Sequence, residues 1–157
     1  MAPDEGGITT SEGQAYAMLR AVWANDRPSF DEVWRWTREH LQVRGDRLLA
    51  WRLKGAVLDR NAATDADQDA ALALVLASRR WGERRYLDDA RAILADVWAR
   101  EVIVAGGRPF PTAGNWAPAE RFPTIHVAYL APYAYEVFAS IDPSQVGFGV
   151  FLPARQA

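Results

Sequence analysis

Two short stretches of the sequence place carboxylic acids where they could do chemistry. In the first, TSEGQAYAMLRA, Glu12 lies in the first turn of a predicted helix, because Ser11 and Gln14 have the spacing of a capping box. In the second, NAATDADQDAALAL, a predicted helix start carries aspartates at alternate positions, namely Asp65, Asp67 and Asp69. Two carboxyl groups that face each other across a groove are the minimum equipment for cleaving a glycosidic bond, one as acid and one as base or stabilising group.

A purely structural role also explains acids at helix starts. Negative side chains complement the positive end of the helix dipole, which would account for Glu12. Asp67 and Asp69 are equally well explained as a capping residue and solvated first-turn acids. A helix start favours the ionised form, so a general acid placed there needs burial among aromatic rings, or an ionised carboxylate such as Asp65 nearby, to keep its proton.

The composition is that of an ordinary folded domain. The chain has 157 residues, of which 50% are hydrophobic and 24% charged, enough for one domain with a substantial core. The formal net charge of −2 gives no electrostatic basis for binding nucleic acid or an anionic membrane. Seven tryptophans are many for this length, and since indole rings stack on flat ligands they hint at a binding cleft.

Several kinds of chemistry find no support in the sequence. There is no cysteine, which excludes disulfides and thiolate catalysis. The two histidines, His40 and His126, have no metal-ligand spacing, and we expect neither a metal nor a cofactor. No apolar run has the length of a membrane span. The first ten residues, MAPDEGGITT, contain acids and no hydrophobic segment, so we expect no signal peptide in this chain.

Apolar residues at helical spacing predict two antiparallel helical hairpins that would position these acids. The first hairpin joins a helix from Ser11 to about Trp23 with one that starts at a Ser29–Glu32 capping box and runs to about Leu41. The second joins a helix from about Thr64 to Trp81 with one from Glu83 to about Val104. Gly82 is expected to end the third helix.

The remaining stretches are less regular. RLLAWRL is extended or helical, and AGGRPFPTAGNWAPAERFPT predicts a functional loop of about twenty residues. A last helix is expected from Ile125 to Ser140, with Pro132 producing either a kink or a delayed start. No stretch shows convincing strand alternation. We therefore predict an all-α fold of stacked antiparallel helical hairpins.

Four stretches, in this order, resemble glycoside hydrolase family 8, the inverting endoglucanases built on an (α/α)6 barrel. TSEGQAYAML resembles the family's segment around its general acid, and RLLAW the segment whose tryptophan stacks on a sugar ring. NAATDADQDAALALVLASRRWG resembles the signature around a substrate-contacting aspartate. PTIHVAYLAPYAYEVFASIDP resembles a later segment that leads into an aromatic-rich helix.

The resemblance implies roles for particular residues. Glu12 would protonate the leaving glycosidic oxygen, and Asp65 would hydrogen-bond the sugar at the cleavage subsite and help to hold its distorted ring. Four aromatic residues would contact substrate, the first two as stacking platforms and the others as lining of the same cleft: Trp51, Trp116, Tyr129 and Tyr133. The implied substrate is a β-1,4-linked polysaccharide of the glucan type. Cellulose, mixed-linkage glucan, chitosan and xylan all remain open, and the whole protein would be secreted or periplasmic.

The sequence also departs from the family. His126 stands where the family commonly has asparagine, and Val127 and Ala128 replace its Pro-Ser. No stretch resembles the family's Tyr-Asp-Ala segment, so the general base is not found. We expect residues 1–141 to form about half of the barrel and residues 142–157 to be a tail, in a fragment of a longer product. Half a barrel would expose apolar edges through which copies could associate.

Two other functions remain open. The chain is a non-catalytic carbohydrate-binding remnant if the aromatic cleft is kept without a base. It is an α-helical scaffold for protein partners if the helices serve only as a surface.

Overall fold

A computed structural model describes residues 7–141 of the chain. Within this range there are five α-helices: α1 (Ser11–Trp23), α2 (Arg27–His40), α3 (Thr64–Trp81), α4 (Arg84–Arg100) and α5 (Pro132–Ile141). Two small antiparallel sheets accompany them: β1 (Thr9–Thr10), β2 (Arg52–Lys54) and β3 (Ala56–Asp59) form one, in the order β1-β2-β3, and β4 (Val102–Ala105) and β5 (Arg108–Pro111) form the other. The predicted tail, residues 142–157, lies outside the described residues.

The two predicted hairpins are confirmed, and α3 is at their centre. Helix α1 packs on α2 and on α3, and α3 packs in turn on α4 and α5. Because α3 has neighbours on several sides, most of its side chains are buried. Helices α1, α3 and α5 form one layer, and α2 and α4 cover it on the outside. The prediction of an all-α fold of stacked hairpins is therefore correct.

The main core lies between these two layers. Its largest fully buried side chains come from all five helices and include Met18, Phe30, Leu74, Ile93 and Phe138. Burial of each such side chain stabilises the fold by about 1.5–3 kcal/mol. A second, smaller cluster holds the segment before β2 against α1 and α3; it consists of Ala15, Leu41, Leu49 and Ala70.

The first two helices begin at different capping residues from those predicted. Thr10, and not Ser11, caps α1, since its Oγ1 accepts a hydrogen bond of 3.1 Å from the N–H of Gly13. Asp26 caps α2 by accepting from the N–H of Ser29 at 3.1 Å. The predicted capping boxes were therefore wrong, because an equally good oxygen precedes each of them and starts the helix earlier.

Other helix ends agree with the sequence or differ for a clear reason. Helix α3 ends before Gly82, whose left-handed φ of 70° suits glycine, as predicted. Helix α5 begins at Pro132, so the proline marks a delayed start and not a kink. Helix α4 ends at Arg100 and not near Val104, because the chain continues from there into β4.

The strands correct the expectation that none would be found. They are two to four residues long, too short for an alternating pattern to be recognised in the sequence. Pairing of Thr9 with Leu53 brings the start of α1 next to β2. The glycine-rich and proline-rich loop is partly regular, since it contains β5 and a 3-10 turn at Ala117–Ala119.

None of the helices within residues 7–141 combines the length and the apolar character that crossing a membrane requires.

Candidate active site

Backbone hydrogen bonds join the start of α1 to the start of α3. The N–H of Ser11 donates to the carbonyl of Trp51 at 3.1 Å, and the N–H of Trp51 donates to the carbonyl of Asn61 at 2.9 Å. The N–H of Thr64 donates to the carbonyl of Ala113 at 3.4 Å. Four segments that are distant in sequence therefore meet where both helices begin, and the residues that follow Ser11 and Thr64 are Glu12 and Asp65.

A close backbone contact holds the loop that carries Trp116. The side-chain oxygen of Asn115 accepts a hydrogen bond of 2.6 Å from the N–H of Ala62. A Cβ atom on Gly114 would lie 2.2 Å from the carbonyl oxygen of Ala62 and 2.8 Å from the indole nitrogen of Trp116. Only glycine fits at position 114, and its absence of a side chain lets the loop approach the residues before α3.

A first hollow, at this end of the molecule, is rich in aromatic rings. It has a volume of about 320 Å³ and contains the predicted stacking residues Trp51 and Trp116. Its other lining residues include Asp59, Asn61, His126 and Tyr129. Trp116 is 39% exposed, and its ring is therefore available to a ligand. Flat ring faces of this kind suit the apolar face of a sugar ring.

Two neighbours orient the ring of Trp51. The side chain of Trp51 donates a hydrogen bond to Asp59, and this bond is the main reason why the pKa of Asp59 is lowered. A hydrogen bond from the N–H of Asn61 lowers that pKa further. The guanidinium of Arg52 lies 5.3 Å from the centre of the Trp51 ring, a cation–π distance. The indole is therefore held by an ionised acid at its edge and a cation over its ring.

The second hollow, of about 530 Å³, lies between α1, α3 and α5. Its lining residues are Tyr16, Leu19, Arg20, Trp23, Asp69, Leu72 and Tyr133. Tyr129 and Tyr133, which we expected in the same cleft, thus line different hollows. The reason is that Tyr129 ends a 3-10 turn, whereas Tyr133 lies within α5, so the two rings do not share one helical face.

Three acids, Glu12, Asp65 and Asp69, lie close enough to influence one another's pKa. We call these three residues and the two hollows together the groove. Burial raises the pKa of Asp65, a hydrogen bond from the N–H of Ala66 lowers it, and the charge of Glu12 raises it further. Burial also raises the pKa of Asp69, as do the charges of Asp65 and Glu12. Burial and the charges of the same two acids, Asp65 and Glu12, raise the pKa of Tyr129 in the first hollow. Glu12 and Asp65 therefore lie near each other and not on opposite sides of the molecule.

Two of these acids are paired with tyrosines. The hydroxyl of Tyr16 donates to Oε1 of Glu12 at 3.0 Å, and this bond is the main reason why the pKa of Tyr16 rises to about 12. The hydroxyl of Tyr133 donates to Oδ1 of Asp69 at 3.1 Å. Burial is the main reason why the pKa of Tyr133 is raised, and the charge of Asp69 raises it further. Tyr16 was not among the predicted site residues, although its position four residues after Glu12 places both side chains on one face of α1.

Asp67 lies outside the groove. Its side chain is fully buried, and Oδ1 accepts a hydrogen bond of 2.9 Å from the N–H of Leu49. Burial, reinforced by the charge of Glu101, raises its pKa well above the ordinary value. Burial likewise raises the pKa of Glu101 to about 8. The alternative of solvated first-turn acids is therefore wrong for Asp67, and no pattern in the sequence indicated that Glu101 would be buried beside it.

Asp69 is only 8% exposed, so it too is not a solvated acid. Within the part of the chain that the structure describes, no group of three or more histidine, aspartate or glutamate side chains could hold a metal ion.

Comparison with known sequences identifies relatives of this chain. A family model for glycosyl hydrolases family 8 matches residues 2–148. A probable endoglucanase of Novacetimonas hansenii is 46% identical over 105 residues, which are 64% of this chain and 31% of that protein. An endoglucanase of Salmonella typhi is 36% identical over 154 residues, with 87% of this chain and 40% of that protein covered.

Solved structures give the same result. A family 8 endo-β-1,4-glucanase from an Achatina fulica gut metagenomic library superposes with a TM-score of 0.87 at 30% identity, over 94% of this chain and 48% of that chain. An endo-β-1,4-glucanase from Acetobacter xylinum superposes with a TM-score of 0.85 at 33% identity, over 93% and 47%. This chain spans less than half the length of each of these relatives. It belongs to glycosyl hydrolases family 8 and forms part of that family's (α/α)6 barrel.

Proposed function

We propose that this chain carries the proton-donating side of the active site of a glycoside hydrolase, which cleaves β-1,4 bonds in glucan-type polysaccharides with inversion. The observation that supports this best is the juxtaposition of Glu12 and Asp65 at two adjoining helix starts, beside a hollow lined by Trp51 and Trp116. The relatives that match the chain are named as endoglucanases, which agrees with a glucan substrate.

The geometry suggests distinct roles for the two acids. Glu12 is the general acid that protonates the leaving glycosidic oxygen. Asp65 has one carboxyl oxygen, Oδ1, that is buried without a hydrogen-bond partner among the described residues. Asp67 and Glu101 have such oxygens too, but both are fully buried, whereas Asp65 is partly exposed, so its carboxyl group is the one that a sugar hydroxyl can approach. Asp65 would thus hold the sugar at the cleavage point.

The aromatic residues would bind the glucan on either side of this point. Trp51 and Trp116 would stack on sugar rings in the first hollow, with Tyr129 at its wall. Tyr133 would contact the chain in the second hollow, where its hydroxyl is already directed towards Asp69.

The reaction is a single displacement. Water attacks the anomeric carbon from the face opposite the leaving group, the bond to the glycosidic oxygen breaks, and that oxygen takes the proton of Glu12. A second carboxylate accepts the proton of the water; in inverting enzymes it lies about 6.5–9.5 Å from the general acid, which leaves room for that water. None of the groove acids is assigned this second role.

Substitution of Glu12 by glutamine tests the proposal. Glutamine keeps the shape of the side chain but has no acidic proton to transfer, so hydrolysis of carboxymethyl cellulose should fall by about 10²–10⁴-fold. Binding of cello-oligosaccharides, measured by calorimetry, should be unchanged. Glu39→Gln is a matched control, because Glu39 lies exposed on α2 and pairs only with Arg35 among the ion pairs of the described chain. Equal, measurable turnover in Glu12→Gln and in the unsubstituted protein would refute the assignment.

The same measurements separate the other candidate functions. The aromatic hollow on its own favours a carbohydrate-binding remnant, which would bind cello-oligosaccharides without any hydrolysis. A scaffold for protein partners would show neither activity. Polymeric glucans lie outside the cytoplasm, so we propose that the whole protein acts there, secreted or in the periplasm. Exposed rings such as Trp23, 64% exposed, mark edges at which other barrel elements or a second copy would associate.

A further inference from the structure

Tyr16 is a groove residue to which the proposed function gives no role. We propose that Tyr16 is a positioning residue for the general acid: its hydroxyl occupies one oxygen of the Glu12 carboxyl, so the transferable proton lies on the other oxygen. This inference rests on the proposed role of Glu12 as proton donor.

The geometry of α1 fixes the pair. Tyr16 follows Glu12 by four residues, so both side chains leave the same face of the helix, and the hydroxyl lies 3.0 Å from Oε1. Helix α1 is held by packing against both α2 and α3. The Tyr16 ring is half exposed and lines the second hollow beside Asp69 and Tyr133. The hydrogen bond thus forms at the wall of the groove and leaves Oε2 free to face a substrate.

Tyr16 remains a hydrogen-bond donor at every pH at which the protein would work. The bond to Glu12, then burial, then the charges of Glu12, Asp69 and Asp65 raise its pKa to about 12. The phenol therefore keeps its own proton and cannot serve as a base. Because Oε1 accepts this proton throughout, the proton of the carboxylic acid is carried by Oε2.

The bond also becomes stronger during the reaction. Before cleavage Tyr16 donates to the neutral carbonyl oxygen of a carboxylic acid. As the bond to the anomeric carbon breaks and the proton passes from Oε2 to the leaving oxygen, Glu12 becomes a carboxylate; water adds to the carbon and gives its proton to a second carboxylate. Hydrogen bonds to an ionised acceptor are about twice as strong as those to a neutral one. An interaction that is stronger in the transition state raises kcat and leaves KM unchanged.

The kinetic test is Tyr16→Phe in the protein that hydrolyses glucan. We expect kcat to fall about five- to tenfold with KM within twofold, because only the added strength of a charge-assisted hydrogen bond is lost. Tyr86→Phe is the matched control; the hydroxyl of Tyr86 hydrogen-bonds Asp31 between α2 and α4, away from the groove. An unchanged kcat, or an increase in KM alone, would overturn the proposal.

A titration tests the contact independently of catalysis. The ultraviolet absorbance of tyrosinate is recorded between pH 10, the ordinary pKa of a tyrosine, and pH 12, the value for Tyr16. In Glu12→Gln one additional tyrosine should ionise in this range, and in Glu39→Gln none should. If the titration does not move, the positioning role is wrong whether or not the protein hydrolyses glucan. If it moves but Glu12→Gln retains full activity, the proposed function has failed and the contact alone stands.

Discussion

Asp65 and Asp67 lie two residues apart in the first turn of α3, yet they belong to different regions of the molecule. Each residue of a helix is rotated by about 100° from the one before, so side chains two apart leave nearly opposite faces. Asp65 faces the groove, where Glu12 and Asp69 lie near it. Asp67 faces the core, fully buried, and binds the N–H of Leu49.

The comparison shows that the same side chain serves two purposes according to what surrounds it. Both aspartates keep one carboxyl oxygen without a hydrogen-bond partner among the described residues, but Asp65 is partly exposed and can be approached by a ligand, whereas Asp67 is fully buried. In the core an aspartate uses an oxygen to hold the segment that leads to Trp51, and burial next to Glu101 favours its neutral form. The groove acid is expected to matter for binding and catalysis, and the core acid for stability.

Among the changes that test this comparison, the largest effect on catalysis is expected from Asp65→Asn. Loss of a hydrogen bond between a sugar hydroxyl and a charged acceptor should lower kcat/KM by about 10- to 100-fold, which corresponds to roughly 1.5–3 kcal/mol. The free energy of unfolding should not fall, because the raised pKa of Asp65 means that the folded protein disfavours its ionised form. Urea unfolding and hydrolysis of carboxymethyl cellulose measure the two quantities. Equal losses in both would remove the distinction between the two aspartates.

Asp67→Ala should have the opposite profile. The N–H of Leu49 would be buried without a partner, which should lower the free energy of unfolding by about 1–3 kcal/mol. Asp67→Asn should recover most of this loss, since its amide carbonyl can accept the same hydrogen bond. Both variants are measured by urea unfolding followed through tryptophan fluorescence. If asparagine is no better than alanine at this position, the hydrogen bond to Leu49 is not what Asp67 contributes.

The last effect, a dependence of stability on pH, is expected from titration of Glu101. Its pKa is about 8 in the folded protein and 4.5 ordinarily, so between these values the folded state holds a proton that the unfolded chain has released. Stability should therefore fall as the pH rises from 4.5 to 8. Ionisation of Glu101 is favoured by the charge of Arg44 and opposed by the charges of three acids, Asp67, Asp46 and Asp65. The dependence of the unfolding free energy on pH across this range should be weaker in Glu101→Gln, and an identical slope in both proteins would count against a buried proton on Glu101.

Much of the secondary structure could be predicted because it depends on neighbours along the chain. Gly82 ended α3 and Pro132 began α5, as each residue's backbone preferences indicate. The capping boxes at Ser11 and Ser29 were misassigned because Thr10 and Asp26 offer competing oxygens one and three residues earlier. The short strands gave no readable pattern, since their pairing partners lie far away in sequence.

The sequence by itself determined the helical hairpins and the acid in the first turn of α1, because periodicity and the four resembling stretches are local properties. Only the tertiary structure decided which aspartate of α3 faces the groove and that Glu101 is buried. It also decided that Ser11, Trp51 and Asn61 are joined by their backbones. These features depend on contacts between segments tens of residues apart, where burial and the exclusion of water fix the state of each carboxyl group.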